Sequence, residues 1–190
     1  MRKMIALLLS LLLLLPAVSV GEAERRAVEF EDFIIAVSER DLLQMGEETG
    51  SSSLFQLFPD YDATAASHPN IIATWVPGAL DGLNDEQVLE FGNGVMQAAA
   101  QNLKANNIVV TNEEMLRIDR DEENGAITVL FTLEVDAAAL GVDAKMDVYM
   151  GSRYVPLGEK GCYSFTVGCE SVEEAEMMFD YLDRYLTIKK

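Results

Sequence analysis

Histidine, cysteine and positive charge are all scarce in this chain of 190 residues, and each scarcity removes a class of chemistry. His68 is the one histidine. A Ser–His–Asp or Cys–His mechanism would need it as base, and it stands before Pro69 with Ser67 too close in sequence to serve as its nucleophile. The lone imidazole also argues against zinc, which takes several nitrogen or sulfur ligands. The two cysteines, Cys162 and Cys169, fall seven residues apart in one expected strand. That spacing separates them by about 23 Å at roughly 3.3 Å per residue, whereas a disulfide needs Cα atoms within about 7 Å. Cys169 shares the parity of Tyr163, Phe165 and Val167 and is expected in the core.

Lys and Arg number 14 against 32 Asp and Glu, a net charge of −18. Such a surface repels phosphate backbones and anionic headgroups, so nucleic acid is not an expected partner. Only one long apolar run exists, from Met4 to Leu15, interrupted by Ser10. Arg2 and Lys3 precede it, and Pro16 and a small-residue stretch to Gly21 follow. Basic end, apolar middle and small-residue tail read as a secretory signal peptide, cut near residue 23 to leave a secreted or extracytoplasmic product. No second run could span a membrane, and no cysteine stands near the cut to carry a lipid. The expected organisation is a signal peptide over residues 1–23 and one domain over 24–190. Residues 1–23 hold two bases and one acid, so the remaining 167 residues carry −19 against −18 for the whole.

Within that domain, residues Ala27 to Val37 are rich in β-formers and predict a bent strand or a tight pair. Gly46 to Ser53 reads as a solvated loop. Leu54 to Pro69 gives no clear period, and Ile71 to Val76 predicts a strand ended by Pro77-Gly78. Asn84 with Gln87 forms a variant capping box, followed by a stripe of Val88, Phe91, Val95, Ala99 and Leu103 at helical spacing. Gly92 and Gly94 would let this helix approach a sheet closely. Ile108 to Ile118 and Ala126 to Val135 predict a hairpin whose connection, Asp119 to Gly125, ends in Asn124-Gly125, the favoured two-residue turn. A strand through Ala144 to Met150, stopped at Gly151-Ser152, and another over Cys162 to Val167 follow. The last element is a helix opened by Ser171 and Glu174, with a stripe of Ala175, Phe179, Leu182 and Leu186. Helices segregated around an antiparallel β-sheet make the fold class α+β.

The closing segments, Asp147-Val-Tyr-Met-Gly, Cys162-Tyr-Ser-Phe-Thr-Val and Ser171-Val-Glu-Glu-Ala-Glu-Met-Met-Phe-Asp-Tyr-Leu, taken with the element order, resemble the Mog1/PsbP-like superfamily, including its exported bacterial members of the DcrB and LpqN type. The resemblance implies a layered sandwich and a binding or accessory role beside larger partners. It carries over no site residue.

The remaining candidates are weighed from the residues. Asp119, Asp121, Glu123 and Asn124 suggest a calcium loop, but an EF-hand would place glycine and a bidentate acid where Asn124 and Leu130 stand. Asp60 and Asp62 with Asp81 and Asp85 could supply a carboxylate pair for glycoside hydrolysis. Phe55, Phe58, Tyr61 and Trp75 could line a groove or serve as core. No catalytic, cofactor-binding or metal-binding residue is assigned. The leading expectation is an exported, non-catalytic domain that binds a protein or envelope component through its sheet face or the Leu54 to Trp75 region. An extracellular hydrolase of carbohydrate or peptide, and an acidic divalent-cation-binding structural protein, are the alternatives.

Overall fold

The computed structural model describes residues 24–50, 52–65, 68–78, 80–136 and 144–189. The expected signal peptide, Ser67, and the side chains at 48 and 49 lie outside that set. In chain order the elements are β1 (Arg25–Glu29), β2 (Phe33–Ser38), β3 (Leu42–Met45), the single turn α1 (Gly46–Thr49), β4 (Phe55–Phe58), β5 (Asn70–Val76), α2 (Asp85–Ala105), β6 (Val109–Arg120), β7 (Ile127–Asp136), β8 (Lys145–Pro156), β9 (Cys162–Cys169), α3 (Val172–Tyr185) and β10 (Leu186–Ile188). The expected α+β architecture is present. Seven strands form one antiparallel sheet in the order β3-β4-β5-β9-β8-β7-β6. β1, β2 and β10 form a second, three-stranded sheet.

Parity along the strands divides the core in two. Leu130 and Val155 join a cluster with Phe33, Ile35, Phe55, Ile71, Phe165, Ala175, Phe179 and Leu182. Their chain neighbours Val129, Phe131 and Tyr154 pack instead with Val88, Ala100 and Leu103 of α2. Adjacent strand residues point to opposite faces, so α2 covers one face of the large sheet, while α3 and the small sheet cover the other. Thr128, on the face covered by α3, is buried as well.

The helix boundaries follow the local chemistry closely. Asn84 accepts from the Gln87 amide at 2.9 Å and donates its own amide to the Gln87 side chain at 3.0 Å, a complete capping box. Asn106 caps the other end, and Asn107 takes the left-handed conformation that asparagine tolerates. Gly92 is required by packing, since a Cβ there would stand 2.6 Å from Cδ1 of Ile118. Gly94 faces open space and has no such role. In α3 the Ser171 hydroxyl accepts from the Glu174 amide, but the Glu174 carboxylate accepts from Glu170, so only half of the box forms.

Several sequence expectations need correction. The Ala27 to Val37 stretch is the tight pair β1–β2, turning over residues 30–32. Arg120 pairs with Ile127, so the β6–β7 connection runs over 121–126 instead of 119–125, and Asn-Gly does not form a two-residue turn. Asp121 closes it: its amide donates to the Ala126 carbonyl, and its carbonyl accepts from Gly125. Only Gly125 of the Asn-Gly pair has positive φ. β8 runs through Gly151-Ser152 because the glycine makes room for an aromatic ring: a Cβ at Gly151 would stand 2.7 Å from Cζ of Phe179. Leu186 leaves the helix to begin β10, which pairs with β2.

Candidate functional site

A groove lies between Pro59, Asp60 and Pro69 of the β4–β5 connection and the outer face of α3. Pro59, Asp60 and Pro69 form one wall, Met177, Asp180 and Arg184 the other, and Arg25, Tyr181 and Tyr185 close the end of a groove of about 390 Å³. That volume falls in the range of ligand clefts. Met177 is 55% exposed on its rim.

The groove is stiffened from below by a buried ionic knot. The Asp41 side chain is wholly buried and receives hydrogen bonds from Arg25 Nη1 at 3.1 Å, the Tyr181 hydroxyl at 2.7 Å, the Ser38 amide at 2.8 Å and the Asp60 amide at 3.0 Å. Burial works to raise the Asp41 pKa, but these hydrogen bonds outweigh it and leave the carboxyl below its ordinary value. The Tyr181 hydroxyl is pushed upward, by burial first and then by the Asp41 charge it faces. Arg25 also lies 3.6 Å from the centroid of the Tyr185 ring, a cation–π contact. Every oxygen of this carboxylate already accepts a hydrogen bond, and the tyrosine is held in its protonated form. The knot therefore fastens β1, the β2–β3 turn, the turn at Asp60 and α3 together, and it offers no base or nucleophile.

The residues singled out from the sequence fall elsewhere or have local duties. Asp62 binds the amide and hydroxyl of Thr64 at 2.9 and 2.7 Å, and these bonds lower its pKa. His68 contacts the Asp62 carbonyl through Nε2 at 2.9 Å and lies against the Tyr61 ring. Asp60 is exposed in the same turn, whereas Asp81 lines a separate depression with Arg120 and Glu122, and Asp85 starts α2. Asp121 spends its carboxylate on the Glu123 amide and the Asn124 side chain, and Asn124 accepts from Ala126. Among the described residues, no group of three or more Asp, Glu, His or Cys is arranged to hold a metal.

The four aromatics do not form one groove. Phe55 is core, Phe58 meets Tyr61 edge-on, and Trp75 is 47% exposed beside Gly161. Both cysteines are free, as their spacing required. Burial raises the Cys162 thiol, and burial followed by the Glu174 charge raises Cys169 to about 11. Sequence reading missed Arg25, Asp41, Tyr181 and Tyr185. The four-residue spacing of the two tyrosines on an otherwise acidic helix was the available signal; Asp41 gave none.

No protein-family model matches the chain, and no curated protein matches it. Solved structures do. Cyanobacterial PsbP from Synechocystis sp. PCC 6803 matches with a TM-score of 0.52 at 10% identity, over 92% of this chain and 98% of that one. The Saccharomyces cerevisiae Ran-binding protein Mog1p matches with a TM-score of 0.55, also at 10% identity, over 88% and 96%. The chain therefore has a Mog1/PsbP-like fold, as its closing segments led us to expect. At this identity the likeness extends to the fold alone.

Proposed function

We propose that this protein is an exported, non-catalytic binding domain that docks a protein of the cell envelope or extracellular space in the groove between the Pro59–Asp60 turn and α3. The observation that carries the reading is the pairing of an exposed apolar rim at Met177 with a rigid base, the Arg25–Asp41–Tyr181 knot. A preformed surface loses little conformational entropy on association, which favours recognition. The signal-like first 23 residues support export. No helix among the described residues is long and apolar enough to cross a membrane. Mog1p, a Ran-binding protein, offers a precedent for partner binding by this scaffold. The excess of acid disfavours nucleic acid as the partner.

Site-specific photocross-linking in the native host tests this. The full chain carrying a photoreactive residue in place of Met177 should give one discrete cross-linked species, and the same group in place of exposed Gln97 on α2 should not. The reading fails if position 177 yields nothing, or if both positions yield the same products.

A further inference from the structure

A second cavity, separate from the groove, is built differently. It also measures about 390 Å³ and lies where α3 and β10 meet the β6–β7 end of the large sheet. Ala126, Val155, Leu182 and Ile188 supply an apolar floor, and Arg117, Arg120 and Arg153 stand around it with Asp119, Asp121 and Asp183, Arg120 donating to the Leu83 carbonyl. Cations are scarce in this chain, yet three of the seven arginines that follow residue 23 meet at this one place.

The way these arginines are occupied indicates what they recognise. Arg153 has a side chain only 13% exposed, with Nε donating to the Thr128 hydroxyl at 3.3 Å and the guanidinium 5.3 Å from the Phe179 ring centroid. Its two outer nitrogens are presented to both oxygens of Asp183, whose side chain is 60% exposed. Arg117 likewise gives Nη1 to both oxygens of Glu176, at 3.1 and 2.9 Å, and Nε to Asp119. The arginine of the Arg153 pair is fixed in the wall while its carboxylate hangs in water. An exposed ion pair contributes little stability, so the acid is readily exchanged. A planar guanidinium fork selects a carboxylate by two parallel hydrogen bonds.

We infer that this cavity binds a small organic carboxylate with an apolar body, the ligand's carboxylate replacing Asp183 on Arg153 and its hydrocarbon part resting on Ala126, Val155, Leu182 and Ile188. Asp183 is then a tethered stand-in that competes with the ligand. This inference is independent of the groove and of its partner.

Amide NMR titration of the protein with hydrocinnamate, and with its uncharged amide as control, decides the matter. Hydrocinnamate should move the Ala126, Thr128 and Leu182 signals saturably in the millimolar range, with the amide about tenfold weaker or more. Asp183→Asn should tighten binding severalfold, because the competitor loses its charge, and Arg153→Gln should abolish it. Should Arg153→Gln fail to fold, the Asp183→Asn variant and the amide control still decide. No saturable shift at those residues, equal binding of acid and amide, or weaker binding by Asp183→Asn would each overturn the assignment.

Discussion

The Phe179 ring on α3 lies in the space that a side chain at Gly151 of β8 would need, its Cζ 2.7 Å from the position of an added Cβ. The helix is seated on the sheet at a point where the sheet has no side chain. Gly151→Ala should therefore cost about 1–3 kcal/mol through overpacking, read as a lowered midpoint in urea with an unchanged slope. Gly94→Ala on α2, where a Cβ meets nothing within 4 Å, should instead leave stability equal or slightly raised.

Asp41 is expected to matter for stability in a pH-dependent way. Its folded pKa is lowered, so its contribution is complete above the unfolded value of about 3.9 and is lost as the pH falls through the folded value. Asp41→Asn leaves Arg25 without its buried counter-charge, and loss of such a partner costs about 3–5 kcal/mol. Denaturation curves at neutral pH should show that loss. The gap between wild type and variant should narrow below pH 4; a gap that stays constant with pH would remove the charge from the explanation.

The two thiols should react slowly with a disulfide reagent in the native state at neutral pH. Burial raises both, Cys169 to about 11, and only the thiolate attacks. Both should label at once in denaturant. Rapid native labelling of Cys169 would show that its strand opens far more often than its packing beneath α3 implies.

Capping offers a graded comparison. Asn84 makes both reciprocal bonds of its box, whereas Ser171 makes one. Asn84→Ala and Ser171→Ala should each cost about 1 kcal/mol; Gln87→Ala should add a loss by opening its box, whereas Glu174→Ala removes only a bond to the Glu170 amide outside the box. Thermal melts of the four variants check this.

Periodicity and capping carried the second half of the chain. The stripe on α2 and the Asn84 box depend on neighbours within a few residues, and both formed as read. What stayed hidden depends on distant partners. Gly151 looked like a strand end because its reason for being glycine, Phe179, is 28 positions away along the chain. Leu186 continued the helical spacing but was drawn into β10 by β2, near the other end of the molecule. The knot was illegible for the same cause: Asp41 meets Arg25, Ser38, Asp60 and Tyr181, and a loop aspartate followed by two leucines carries no mark of that. The carboxylate candidates Asp60, Asp62 and Asp81 illustrate the opposite hazard, since an acidic chain offers many such pairs; Asp62 is spent on Thr64 in its own turn, and Asp81 lines a separate depression.

β9 sits between β5 and β8, joining the two groups of strands made before it. A nascent chain can assemble β6 through β8 as a meander and β3 through β5 as another, yet the two cannot fuse until residue 169 has been synthesised, and the small sheet waits for residue 188. The last-made strand of the large sheet is thus the one that closes it, so a chain lacking β9 would hold two separate meanders rather than one shortened sheet.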